Sequence, residues 1–296
     1  MSDPKIVVLG DTGMLGAMLI KMLHRTDGIE GIGRNRKDIN LIPRSLNEVG
    51  KILSEIIPPD TDWIVNCMGA TKPYFDDRTD ISIPIYANGL FPHQLAQWAE
   101  FVGIERVLHI TTDCVYDGQE GMYDEADTHT PTDLYGKSKG LGEPLNCMTI
   151  RTSIIGPEFN GNSKHFLSWV KSLEGSQEPA RGFINHLWNG LTTLELSYAI
   201  VDMIGGDIYE EELYHLFSSD ISKYEMVKTI IKTYGIVAEV EPYSASTMVD
   251  RRLRTLNDMN DIISPSCFES MIQQLKEWED NEEEIEAIKK VANSEN

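Results

Sequence analysis

Thr112, Tyr135 and Lys139 are the side chains of this sequence best suited to moving a proton. They lie in TTDCVYDGQEGMYDEADTHTPTDLYGKSKG, residues 111–140, where a threonine pair ends an apolar run and a Tyr-x-x-x-Lys follows. Reducing a ketone requires a proton at the carbonyl oxygen as hydride reaches the carbon. A free tyrosine has a pKa of about 10, too high for efficient exchange near neutrality. A neighbouring lysine ammonium favours the phenolate and lowers that value. Residues i and i+4 of a helix share a face, so Tyr135 and Lys139 can serve one cleft. Thr112 can hold the same substrate oxygen, with Thr111 as the adjacent hydroxyl. Tyr-x-x-x-Lys alone is a common coincidence, so its meaning depends on the elements that carry it.

Those elements alternate. KIVVLG (5–10), IEGIG (29–33), DWIVNCMG (62–69), RVLHITT (106–112) and CMTIRTSIIG (147–156) read as strands. Between them, 14–25, 45–57, 82–102 and 133–143 carry helical patterns, the second stopped by Pro58 and Pro59. Strand and helix in alternation, with short connections, predict an α/β fold with a doubly wound parallel sheet. After residue 156 the rhythm loosens. Helices are expected at 162–173, 192–204 and 222–235, a strand at 214–217, and a charged, solvated helix at the end. The expected division is a nucleotide-binding domain over 1–155 and a smaller substrate lobe over 156–296, with about 185–205 returning to the first.

The first strand runs into GDTGMLG, which spaces Gly10, Gly13 and Gly16 by three. A strand, a glycine turn and an amphipathic helix let backbone approach a pyrophosphate at a helix N-terminus. Thr12, Met14 and Leu15 lie in the same turn. Roughly 20 residues on, an acidic strand end would bind a ribose 2′-hydroxyl, whereas an arginine accommodates a 2′-phosphate. The sequence there is GRNRKD, with Arg34 and Arg36. NADPH is therefore the expected cofactor, with NADH as the alternative.

Composition narrows the partners. Lys plus Arg total 26 and Asp plus Glu 47, a formal net charge of -21. Such a chain repels nucleic acid and anionic membranes, and makes a local basic cluster more informative. The four cysteines, Cys67, Cys114, Cys147 and Cys267, show no metal-binding spacing with one another or with histidine. No metal is expected, and free thiols suit a reducing cytoplasm. No stretch has the length of a signal-peptide core or a membrane span.

Taken together, GDTGMLG, HITTDCVYDGQEGMYDE, DLYGKSKGLGE and MTIRTSIIG resemble, in order and spacing, the motifs of extended short-chain dehydrogenase/reductases, in particular the dTDP-4-dehydrorhamnose reductase-like group. WNGLTTLEL and LYHLFSSDISKYEMVKTI resemble its C-terminal region, so the likeness covers nearly the whole chain. The resemblance implies a Rossmann-type sheet with a smaller C-terminal substrate-binding lobe. It implies a reductase of a nucleotide-diphosphate 4-keto-6-deoxy-hexose, serving deoxysugar or surface-polysaccharide synthesis, with a homodimer compatible with it. The family's Ser/Thr–Tyr–Lys triad falls on Thr112, Tyr135 and Lys139. NCMGA, containing Cys67, Met68, Gly69 and Ala70, resembles the loop lining the adenosine and nicotinamide ribose. Asp38 and Ile39 resemble the pair that touches adenine, and Thr152 to Ile155, including Ile154, the stretch beside the carboxamide. Asn88 joins the implied cofactor set.

On the substrate side, Asp113 and Cys114 adjoin Thr112. Lys72 and Tyr74 can meet the sugar or a phosphate, or simply occupy a surface loop. His186 and Trp188 in FINHLWNG can line a sugar-nucleotide pocket or pack as aromatics. Arg251, with Arg252 beside it, stands near the family's DR-type motif and can pair with a diphosphate. His109 reads as core. Two other readings stand. One is an epimerase or dehydratase on the same scaffold, weakened because Cys114 replaces the Glu that usually follows the acid at Asp113. The other is a non-catalytic, nucleotide-binding regulatory subunit, against which the intact Thr–Tyr–Lys set argues.

Overall fold

The run KIVVL forms β1 (Lys5–Leu9), in which Ile6 through Leu9 are fully buried. A strand apolar on both faces belongs inside a sheet covered on both sides. The structure, a computed structural model, describes residues 3–40, 42–72, 80–159, 161 and 164–294. After β1 come α1 (Met14–Leu23), β2 (Glu30–Arg34), α2 (Leu46–Ile56) and β3 (Trp63–Asn66). A continuous helical stretch follows: α3 (Ser82–Pro84), a wider π-helical turn (Ile85–Leu90) and α4 (Phe91–Val102). Then come β4 (Arg106–Thr112), α5 (Leu134–Gly140), β5 (Met148–Thr152) and β6 (Ile154–Ile155).

Beyond these are α6 (Phe166–Lys171), β7 (Ala180–Phe183), β8 (His186–Trp188), β9 (Leu191–Thr192), α7 (Thr193–Gly205) and β10 (Leu213–His215). The chain continues with β11 (Ile221–Ser222), α8 (Lys223–Tyr234), β12 (Val240–Tyr243), β13 (Val249–Asp250), α9 (Met259–Ile263) and α10 (Phe268–Ser294).

Six strands form a wholly parallel sheet in the order β2-β1-β3-β4-β5-β10. This is the α/β doubly wound arrangement that alternation predicts. From β1 the chain moves outward to β2, then returns to β3 on the other side. The order reverses between β1 and β3, and a crevice opens at their C-terminal ends. One face of the sheet is covered by α1, α7 and the start of α10, the other by α2 and α4. Shorter sheets, β11-β8-β13 and β12-β7, come from later parts of the chain.

Local signals explain the helix ends. Ser45 and Glu48 form a reciprocal capping box on α2, as do Ser222 and Glu225 on α8. Thr192 caps α7 through the Glu195 amide. Two expectations need correcting. The strand read over 147–156 breaks at Ser153, where β6 leaves the main sheet to pair with β9, because Leu191 N–H donates to the Ser153 carbonyl at 2.8 Å. The final helix is not simply solvated. Met271, Ile272, Leu275 and Trp278 enter the core, and Glu279 and Glu282 then pair with Lys171 and Lys21.

Candidate active site

The site forms where α5 meets the end of β4. Asp133 caps α5 by accepting from the Gly136 amide at 2.8 Å. Gly136 carries no side chain, and a Cβ there would overlap the Cys114 carbonyl, so α5 can lie directly against the turn after β4. This places Tyr135 and Lys139 beside Thr112. Thr112 Oγ1 donates to Asp113 Oδ1 at 3.1 Å and accepts from the Cys114 amide at 3.2 Å. The Tyr135 phenol lies close enough to the same hydroxyl for it to favour the ionised form. Lys139 is buried, and its Nζ donates to the Ile110 carbonyl at 3.0 Å.

Burial sets the electrostatics. It raises Tyr135 above its ordinary value, with Cys114 adding to the rise and the Thr112 hydrogen bond opposing it. It lowers Lys139 to about 8, Glu143 opposing. The cation over the Tyr135 ring is Lys72, 5.5 Å from its centroid, which also pairs with Asp133 at 2.6 Å. A phenol held protonated is suited to donating. The expected depression of Tyr135 by a lysine is therefore corrected: desolvation dominates and raises it instead.

These groups open on a cleft of about 700 Å³ running along the crevice between β1 and β3. Gly10, Thr12, Gly13, Met14 and Leu15 line it, with Cys67, Met68 and Gly69 beside them. Gly10 has φ 92°, and a Cβ there would press on the Cys67–Met68 peptide at 3.1 Å. A Cβ at Gly16 would overlap the Gly10 carbonyl. No side chain caps the N-terminus of α1 and its first turn holds no acid, which leaves amides for an anion. The Thr111 hydroxyl, on the cleft wall, is buried without a partner. A backbone cradle and an orphaned hydroxyl fit a bound dinucleotide.

The chain matches the model of the RmlD substrate binding domain over residues 4–288. It belongs to that family. Among relatives of this family member, spore coat polysaccharide biosynthesis protein SpsK of Bacillus subtilis (strain 168) is 26% identical over 240 residues, 78% of this chain and 80% of that protein. Methionine adenosyltransferase 2 subunit beta of Danio rerio is 31% identical over 140 residues, 47% of this chain and 42% of that protein. The solved structure of dTDP-4-dehydrorhamnose reductase from Bacillus anthracis str. Ames in complex with NADP matches with a TM-score of 0.75 and 19% identity, covering 93% of this chain and 98% of that one. At that identity the likeness is one of fold.

Most of the residues singled out in this family member converge. Arg36, Lys72, Asp113, Cys114, Thr152 and Ile154 join the triad, the glycine turn and the 67–69 loop on the cleft. Others do not. Arg34 turns its guanidinium to the carbonyls of Ile56 and Gly33, at 2.7 and 2.9 Å, and is not on the cleft wall. Asp38 accepts from the Asn35 amide at 2.8 Å within its own turn, and Ile39 is core. Asn88 is fully buried in the π-helical turn. Its amide bridges both polar groups of Ala70 and the Ser138 hydroxyl, so it positions the loop and α5 rather than lining the cleft.

Trp188 is core, edge-on to Phe268, because β8 is pinned between β11 and β13. His186 stacks on Phe183 at 4.4 Å and bonds the Thr247 carbonyl. Arg251 donates to the carbonyls of Tyr116 and Asp117, while Arg252 is neutralised by Asp250 and Asp220. His109 is buried in β4 and bonded to Asn66. Tyr74 lies outside the described residues. Ser153, from the stretch Thr152 to Ile155, is on the cleft wall, while sequence reasoning missed Thr71, Ile110, Glu158, Lys164, His165 and Phe166 there. Among the described residues no cluster of His, Cys, Asp and Glu is arranged to hold a metal, and no helix is long and apolar enough to cross a membrane.

Proposed function

We propose that the protein is an NADPH-dependent reductase, with NADH as the alternative, of a nucleotide-diphosphate 4-keto-6-deoxy-hexose. One observation carries the reading: Thr112, Tyr135 and buried Lys139 line the same cleft as the glycine turn at 10–15. A bound reduced nicotinamide supplies the hydride for the carbonyl carbon. Tyr135 gives its hydroxyl proton to the carbonyl oxygen, and Thr112 holds that oxygen in line. Lys139 orients the cofactor ribose and supplies positive charge next to the phenol once its ammonium is drawn from the Ile110 carbonyl. Lys72, on the cleft wall, provides positive charge for the substrate's diphosphate. The names of the Bacillus relatives, a polysaccharide biosynthesis protein and a dTDP-4-dehydrorhamnose reductase, support the substrate class.

The test mixes purified protein with NADPH and a panel of nucleotide-linked 4-keto-6-deoxy sugars and follows loss of the reduced-nicotinamide absorbance. Turnover of at least one supports the reading, and turnover of none overturns it. The kinship with a methionine adenosyltransferase subunit favours a second reading, a nucleotide-binding regulatory subunit. That reading gains if the protein binds NADPH, reduces no keto sugar and stimulates a partner enzyme.

A further inference from the structure

The end of β2 carries an acid that comes from another segment. Gly33, paired with Val8 of β1, has no side chain, and a Cβ there would overlap the carboxylate of Asp11. Asp11 follows Gly10 in the glycine turn. The backbone amides of both donate to the Arg34 carbonyl, at 2.7 Å from Gly10 and 3.3 Å from Asp11, which ties the turn to the end of β2. The carboxylate therefore takes the place that a side chain at position 33 would fill. Its Oδ1 is buried and has no hydrogen-bond partner. An unpartnered buried acceptor is costly, and a ligand hydroxyl donating to it removes the cost.

In doubly wound folds the end of the second strand is where the adenosine ribose lies, and an acid there accepts from its 2′-hydroxyl. Arg34, turned to Ile56, cannot answer for the opposite preference from its present position. Arg36, on the cleft wall, can.

We propose that Asp11 is the acceptor for the ribose 2′-hydroxyl and keeps NADH in use beside NADPH, with Arg36 pulling the other way. A 2′-phosphate gains Arg36 but meets the Asp11 carboxylate, and a 2′-hydroxyl meets the carboxylate as a donor. The proposal rests on the dinucleotide reading of the cleft.

Calorimetric titration of the full-length parent, Asp11→Asn, Asp11→Ala and Arg36→Ala with NADH and with NADPH tests it. Adenosine 2′,5′-bisphosphate and AMP serve as probes of the adenosine end alone. Both Asp11 variants should shift the affinity ratio toward NADPH by about tenfold or more, and Arg36→Ala should shift it the other way by a similar factor. The two fragments should follow the same pattern. Thermal melting of each free variant checks that it is folded, and the asparagine keeps the shape of the native side chain. If the parent binds both dinucleotides and neither Asp11 variant moves the ratio, the assignment of Asp11 is wrong while the cofactor reading stands. If the parent binds neither, both fall together.

Discussion

The Lys139 ammonium donates to the Ile110 carbonyl at 3.0 Å, where the sheet end meets the cleft wall. Burial lowers its pKa to about 8 from an ordinary 10.5. Below about 8 the group is charged and available to a ribose and to the phenol; above it the charge is lost. Cofactor affinity should therefore weaken as pH rises through about 8. A fluorescence titration across pH 6.5 to 9.5 reads this, and Lys139→Met should give a weaker, flat profile. A parent profile that stays flat through that window would count against a charged Lys139 in binding.

Tyr135→Phe keeps the ring and deletes the proton. Turnover should fall by about 10²–10⁴-fold, with NADPH affinity nearly unchanged. Thr112→Val loses one hydrogen bond and no donor proton, so it should slow turnover less. Steady-state rates with a 4-keto nucleotide sugar compare the two, and a phenylalanine variant as fast as the parent would move the site elsewhere.

Glu143 and Arg151 form a two-point ion pair behind the site, at 2.9 and 2.7 Å, with His129 against both. Burial pushes Glu143 up, but hydrogen bonds from Arg151 and His129 outweigh it and bring the carboxyl down to about 2 from 4.5. The folded value is depressed, so this stability is fully present above 4.5 and is lost as pH falls from there toward 2. The shift corresponds to about 3 kcal/mol. Glu143→Gln leaves a buried guanidinium unpaired and should destabilise by about 3–5 kcal/mol at neutral pH. Urea midpoints at pH 7 and pH 3 should differ less in the variant than in the parent.

Gly136→Ala inserts a methyl into the Cys114 carbonyl. Overpacking of this kind costs about 1–3 kcal/mol, and it also moves α5, which carries the phenol. Turnover should fall while the folded state survives. Paired denaturation and rate measurements would show it, and an unaltered rate would mean that α5 can shift without disturbing Tyr135.

How much was legible follows from what each segment must satisfy. KIVVL is apolar on both faces and VLHI in RVLHITT nearly so, which leaves few places for them except the sheet interior, so the parallel core and the crevice could be read from pattern alone. The meeting of Thr112, Tyr135 and Lys139 on one cleft was legible too, because helical spacing and a strand end fix it locally. Arg34 was placed correctly on its strand, but the direction of a long side chain depends on which carbonyl is within reach, and Ile56 belongs to a helix distant in sequence. Trp188 failed for a related reason: a tryptophan in a three-residue strand reads the same whether it packs inward or faces a ligand. Glu158, His165 and Phe166 reach the cleft from the segment after Gly156, where the expected helix over 162–173 gave no sign of which of its residues face a ligand.

The strand that closes the sheet beyond β5 is β10, and α7 lies against α1 on the same face, although both come after residue 190. The architecture is therefore sewn rather than stacked. Cutting the chain near residue 155 would strip β5 of its outer neighbour and bare the apolar flank of α1, leaving a sticky sheet edge in place of a free-standing nucleotide binder. A chimera that takes only the segment after residue 155 from another chain would therefore have to rebuild an outer strand and a helix face of the shared core, rather than exchange a separate lobe.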